Sequence, residues 1–386
     1  MSPSDESSGN RTYTRRNILE TSALAGLGSL AGCTSLYSDQ TGAQISLSDF
    51  RGSGPLVSGR QPPGGVSMEE MPDLSGTLTL YLGGGERGLY VRLFDLLREK
   101  YPEFTLLTNT GPSTRLAQTI IQEYQSNALQ GDVFLPVDAG ALGVVAAAGA
   151  TQKLPDSILT KVPRKFRGDN GQWTGLEGRV RSIPYNTNKF DESDIPNDIF
   201  AFPDTSALKG TMGWAPTYGA FQAFITAMRI LNGPSKTKEW LREMMNYGVQ
   251  RYGNEYFVAS AVADGAIGAG FANHYYALRV QNARPDAPLK LAFTTDDAGS
   301  LVNVSGACVL AGTQQESLAQ NFIRHLLSSE AQEFFATVTK GYPLIKGVAP
   351  LGNLPTIRQL NPPEFDLTKL KNLQKTIDLM REVGVL

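Results

Sequence analysis

The stretch GTLTLYLGGGERGLYVRLFDLLREKYPEF, residues 76–104, decides the fold class. Residues 77–82 alternate like a half-buried strand. Gly83, Gly84 and Gly85 supply a tight turn. Leu89, Leu93, Leu96 and Leu97 then recur at helical spacing, so an amphipathic helix follows. A strand, a glycine-rich turn and a helix make half of a βαβ unit. The turn lacks the partners that make GxGxxG a dinucleotide site, and it is not GxxxxGK[ST]. It suits close approach of backbone to a small ligand, with Glu86 at the rim.

The same alternation continues down the chain. Residues 104–109 (FTLLTN) read as a strand and 112–127 as a helix. Residues 131–149 give a buried strand, a turn at Asp138-Ala139-Gly140 and an Ala-rich helix. Residues 178–190 hold a strand that ends at Tyr185. A loop leads into a long helix over 211–233, and 264–279 is again strand then helix. Residues 300–312 form a strand. Two helices occupy 317–338, the second opened by Ser329 with Gln332 three residues on, as in a capping box. Leu370, Leu373, Ile377 and Met380 mark a last amphipathic helix. This order predicts an α/β chain with open, mostly parallel sheets. Ligands in such folds sit in a crevice beyond the C-terminal ends of the strands.

Composition narrows the function. The 386 residues suffice for two compact domains, and 41% hydrophobic content can fill their cores. A formal charge of −2 and the lack of any Lys/Arg stripe exclude nucleic acid as the main partner. Two cysteines and two histidines leave no material for a His/Cys zinc cluster. No Ser/His/Asp order stands out as catalytic machinery.

The amino terminus reads as an address. Arg15 and Arg16 precede Asn17-Ile18-Leu19, and a Gly/Ala-rich apolar run ends in Leu30-Ala31-Gly32-Cys33. The paired arginines resemble a Tat export signal, and the last four residues resemble a lipoprotein processing box. Residues 1–33 are then a signal peptide, and Cys33 carries the lipid. No later apolar stretch is long enough to span a bilayer. Residues 34–75, rich in Ser, Gly, Pro and Gln and without period, read as a flexible tether.

One short motif bears on the ligand. In GAGFANHYYALR, residues 268–279, Tyr275 and Tyr276 stand side by side. Neighbours in a strand face opposite sides, and neighbours in a helix are far apart around the axis. Packing alone gives little reason for the adjacency, whereas a shared ligand does. If a strand ends at Phe271, Asn273 caps the next helix and both phenols lie in its first turn, where the helix dipole favours negative charge.

The ordered set DVFLPVDAGALG, WTGLEGRVRSIPYNTNKF, GWAPTYGAFQAFITAMR, NHYYALR, GSLVNVSGACVL and YPLIKGV resembles the extracytoplasmic ferric-iron-binding proteins of ABC importers. The resemblance spans roughly residues 78–348. It implies a periplasmic-binding-protein-like fold of two α/β lobes joined by crossing strands, with the ligand in the cleft. Lobe 1 is expected over 76–180 and 306–350, and lobe 2 over 181–305 and 351–386. The implied solute is Fe(III), which prefers anionic oxygen donors such as phenolate, with a synergistic carbonate as the candidate co-ligand. An ABC permease and its ATPase are the implied partners, and a monomer is expected.

The resemblance also nominates ligands. Tyr275 and Tyr276 match the family's tyrosine pair. Tyr185 resembles a third tyrosine used by part of the family; a core aromatic is its plainer reading. The family's first-lobe histidine is absent here, which leaves Glu86 as the first-lobe oxygen donor, or as a solvated loop carboxylate. Arg179 and Arg181 are candidates for an anion site, because guanidinium binds planar oxyanions in two parallel hydrogen bonds; a surface pair on the hinge strand is the alternative. His274 is expected to be structural, Asp138 to cap its helix, and Cys308 to be inert core. Three other readings stay open: a binding protein for a small anion or other solute, a sensor that docks a signalling receptor, and a metal-dependent hydrolase.

Overall fold

The computed structural model describes residues 45–84, 88–352 and 354–386. The amino-terminal arm carries a short helix, α1 (Leu47–Phe50). Then β1 (Gly76–Gly83), α2 (Leu89–Lys100), β2 (Phe104–Gly111), α3 (Ser113–Gln125), β3 (Val133–Leu135) and α4 (Ala139–Ala147) follow in βα order. After α5 (Asp156–Leu159) comes the long strand β4 (Thr174–Asn186). The middle of the chain holds β5 (Met212–Trp214), α6 (Gly219–Asn232), α7 (Pro234–Asn246), β6 (Gln250–Arg251) and α8 (Glu255–Ala263). It continues with β7 (Ala269–Gly270), β8 (Ala272–Asn273), α9 (His274–Ala283) and β9 (Leu289–Ala292). β10 (Val302–Val309), α10 (Glu316–Leu326), α11 (Ser329–Phe334), a π-helical turn (Phe335–Thr339) and β11 (Tyr342–Pro343) come next. The chain closes with α12 (Ile357–Leu360) and α13 (Leu373–Glu382).

The strand order β2-β1-β3-β10-β4-β7-β5-β6 explains the two-lobed α/β architecture. At one end β1 pairs in parallel with β2 and β3. At the other, β5 pairs in parallel with β6 and β7. Each parallel set meets an antiparallel crossing strand, β10 on β3 and β4 on β7. β10 and β4 pair with each other and carry the chain between the lobes. The alternation at residues 77–82 becomes β1, whose Leu78, Leu80 and Leu82 are buried; Leu93 and Leu97 of α2 are buried with them.

β4 is buried along nearly its whole length, yet it carries Glu177, Arg179, Arg181, Ser182 and Asn186. Polar groups removed from water must be partnered within the protein. That requirement concentrates the chain's chemistry on the crossing strand.

Three expectations are corrected. Residues 45–75 do not hang free as a tether: Phe50, Val57, Met68 and Leu74 are buried. Arg51 and Arg60 both reach the buried carboxylate of Glu333 on α11. Each buried apolar side chain there contributes roughly 1.5–3 kcal/mol, against the entropy of ordering the arm. The capping residue of α11 is Ser328, whose hydroxyl accepts from Ala331 N. Gln332 instead turns inward and donates to the carbonyls of Leu176 and Leu326. The C-terminal segment serves more than one lobe: α13 packs on α6 and α7, but the turn Leu367–Lys371 packs on α4.

Candidate metal centre

Two strand-to-helix turns of lobe 2 build the site. β5 and β7 are parallel neighbours, so the turns after them leave the same edge of the sheet. The first delivers Tyr218, the residue preceding α6. The second delivers Tyr275 and Tyr276 in the first turn of α9. Two helix N-termini, each favouring negative charge, thus converge on one spot.

The phenols meet there. The rings of Tyr275 and Tyr276 lie 4.4 Å apart at 48°. The Tyr276 hydroxyl is hydrogen-bonded to that of Tyr218. Asn273 Nδ2 donates to the Tyr275 hydroxyl at 3.2 Å. The Arg279 guanidinium lies 5.0 Å from the centre of the Tyr275 ring and 5.5 Å from that of Tyr276. Both tyrosines of the pair are buried. Burial, with the two neighbouring phenols, holds the Tyr276 hydroxyl far above the ordinary phenol range. Without a cation to displace its proton, Tyr276 is a neutral phenol.

A second layer fixes this arrangement. His274 is fully buried; its Nδ1 accepts from Val180 N at 3.2 Å, and its Nε2 donates to the Lys340 carbonyl at 2.8 Å. Burial lowers its pKa to about 4, so it is a neutral structural residue. Arg181 Nη1 binds Glu255 and, at 3.1 Å, Asn273 Oδ1. Glu255 Oε2 accepts from Asn273 N at 2.8 Å. Asn273 holds the capping position, but its side chain is spent on Arg181 and Tyr275 rather than on the helix.

Tyr218 and Tyr275 border a cavity of about 520 Å³, with Tyr276 packed behind them. Lobe 2 and the crossing strands contribute Tyr218, Tyr275, Asn273, Arg179, Arg181 and Asn303, and lobe 1 contributes Thr114, Gln118, Val137 and Asp138. Leu370, Lys371 and Leu373 cover it from the C-terminal segment. The Nη2 atom of Arg181 is buried and has no hydrogen-bond partner. Asp138 caps α4 through Ala141 N at 2.9 Å, and burial raises its pKa. Among the described residues no group of three or more His, Cys, Asp or Glu side chains is placed to hold a metal. Among the described residues, the phenol oxygens are the donors gathered at this spot.

The nominated residues divide clearly. Tyr275, Arg179 and Arg181 line the cavity together and Tyr276 packs on Tyr275; Arg181 is buried and Arg179 mostly so, and they are not a surface pair. Tyr185 does not join them. It lies four residues beyond Arg181 on β4, pairs with Ala269 and Lys290, and is part of the hydrophobic core. Burial, then Glu192 and Asp191, raises its pKa. Glu86, Cys33, Arg15 and Arg16 lie outside the described residues. Cys308 is buried core, its thiol pushed up to about 12 by burial. Tyr218 is the residue that sequence reasoning missed. Its signal was the PTYG turn between a strand and a helix, the same context that holds Tyr275.

Comparison with known proteins agrees with this architecture. The major ferric iron-binding protein of Neisseria meningitidis serogroup B is 30% identical over 285 residues, 72% of this chain and 84% of the relative. The structure of iron-bound HitA from Pseudomonas aeruginosa is 29% identical with a TM-score of 0.68, covering 80% of this chain and 99% of that one. The Trichodesmium IdiA/FutA structure, in complex with iron and citrate ligands, is 25% identical with a TM-score of 0.66 and the same coverage. Residues 96–359 match the bacterial extracellular solute-binding proteins, and the chain belongs to that family.

Proposed function

We propose that the protein captures ferric iron outside the cytoplasmic membrane and delivers it to an ABC import permease with its ATPase. The observation that carries this reading is the convergence of Tyr218, Tyr275 and Tyr276 beside the cavity, which the first two line. Phenolate is a hard anionic donor suited to Fe(III), and the neighbouring His274 has both ring nitrogens engaged by backbone. The named functions of the Neisseria and Pseudomonas relatives support it. The two lobes are taken as 76–180 with 306–350, and 181–305, with residues 351–386 packing on both.

Three phenolates leave an octahedral ferric ion short of donors. Glu86 is the first-lobe candidate for one position. An anion fills others, anchored by the buried Arg181 Nη2 and by Arg179. The cavity is wide enough for an organic carboxylate as well as for carbonate, and the citrate-bound relative favours this choice. Export by the Arg15-Arg16 signal and a lipid on Cys33 complete the reading. The test is a titration of metal-free protein with ferric nitrilotriacetate. A visible phenolate-to-iron charge-transfer band at one iron per chain is expected, and a colourless titration without binding ends the proposal.

A further inference from the structure

We propose that residues 45–66 are a clamp that holds the tyrosine-bearing helix α9 against the α11 region and so keeps the cleft in its binding-competent arrangement. The proposal rests on the iron-binding reading only for its affinity readout. The arm precedes the family match, which begins at residue 96.

Two sets of contacts define the clamp. On the α11 side, Arg51 Nε and Arg60 Nε bind Glu333 at 2.8 and 2.9 Å. Gly52 N donates to Thr337 Oγ1 at 2.8 Å in the π-helical turn, Gly64 N donates to the Gly347 carbonyl at 2.8 Å, and Ser329 N donates to the Val66 carbonyl at 2.9 Å. On the α9 side, Val57 packs in one apolar cluster with Leu278 and Leu351. A Cβ on Gly54 would stand 2.5 Å from Asn282 Oδ1, so the arm's backbone passes directly over α9. Leu278 and Asn282 lie one and two turns beyond Tyr275 on that helix.

The arm therefore grips both partners of a joint. The first partner is the segment 329–347, whose Lys340 carbonyl also receives His274 Nε2. The second is the helix that presents the phenols. In the conformation the arm stabilises, Tyr276 already touches Tyr218. Apparent affinity scales with the populated fraction of the competent state. Loosening the clamp releases α9 from its partner segment and lowers that fraction, without touching any ligand.

The experiment uses the mature chain with Val57→Asp, which puts a charge into the apolar cluster, and separately Arg60→Gln, which leaves Arg51 on Glu333. Small-angle scattering of metal-free and iron-loaded protein is read beside the affinity for ferric nitrilotriacetate. Both variants are expected to melt cooperatively, to show a larger radius of gyration only when metal-free, and to bind iron about 3- to 10-fold more weakly. If Val57→Asp does not fold, Val57→Ala replaces it with the same readouts. Lowered melting temperature with unchanged scattering and affinity overturns the clamp and leaves plain packing. If the wild type takes up no iron, the functional reading fails, and the metal-free scattering alone still decides the clamp.

Discussion

The hydroxyl of Tyr276 is hydrogen-bonded to the hydroxyl of Tyr218, 58 residues earlier in the chain. Parallel pairing of β5 and β7 brings them together. The contact turns an adjacent pair of tyrosines into a cluster of three oxygens.

Removing single oxygens separates a ligand role from a packing role. Tyr218→Phe, Tyr275→Phe and Tyr276→Phe keep nearly all the ring contacts, so each should cost only about 1 kcal/mol of stability for the lost hydrogen bond. Each should weaken ferric binding by at least about tenfold, or 1.4 kcal/mol, and shift or bleach the visible band. Wild-type affinity and colour in the Tyr275→Phe, Tyr276→Phe double variant would falsify the phenolate site.

Iron loading should release protons. Tyr276 is held protonated by burial in the metal-free protein, so the metal must displace that proton. Affinity therefore rises with pH and falls with acid. If all three phenols ionise on binding, a pH-stat titration should count about three protons per iron, less any taken up by the iron donor. Uptake with no proton release beyond that of the donor chelate would contradict ionised phenols.

His274 should set an acid limit on the fold. Its pKa falls from 6.5 to about 4 on folding, so the unfolded chain binds more protons between those values. Its contribution to stability is complete above pH 6.5 and is lost as pH drops toward 4. The full linkage amounts to about 3 kcal/mol. Urea unfolding across this window should show the decline, and His274→Gln should flatten it. His325, also lowered by burial, adds a decline in the same direction that the variant leaves in place.

Glu255 should matter to stability and to the site together. It is fully buried and holds both Arg181 and the backbone of Asn273. Glu255→Ala strips the arginine of its counter-charge, at a cost of about 3–5 kcal/mol. Iron affinity should fall as well, because Asn273 positions the Tyr275 hydroxyl. Chemical denaturation and ferric titration of the same variant check both effects.

Export has its own assay. Replacing Arg15 and Arg16 by Lys should hold precursor in the cytoplasm. Cys33→Ala should shed the protein from the membrane fraction or leave it unprocessed. A Cys33→Ala protein that stays membrane-bound and is cut at the same place would refute lipidation there.

The βα order was legible because strand alternation and helical leucine spacing are local signals. The crossing strand was legible from its order among the motifs, and family membership places the chain with binding proteins rather than hydrolases. Tyr218 was not legible, because its meeting with Tyr276 depends on which strands lie side by side. Tyr185 misled: it shares the strand of Arg181 but sits further along, under the core of lobe 2. The arm misled for the opposite reason. Its grip depends on glycines that let backbones touch and on two arginines that share a distant carboxylate. None of these leaves a periodic trace.

The two lobes are joined by a hydrogen-bonded ribbon, β4 against β10, with a bulge between Ser305 and Gly306. Such a ribbon resists shear, because sliding would break its ladder, but it twists readily, most of all at a bulge. Any turning of one lobe against the other would then be a torsion about the ribbon. Groups on the axis barely travel, whereas groups at the lobe edges sweep an arc. Arg179 and Arg181 lie on the axis strand; the phenols ride on the helix beside it. An anion seated on these arginines, as proposed, would lie near that axis and move little as the lobes turn, whereas an ion held by the phenols would be carried further.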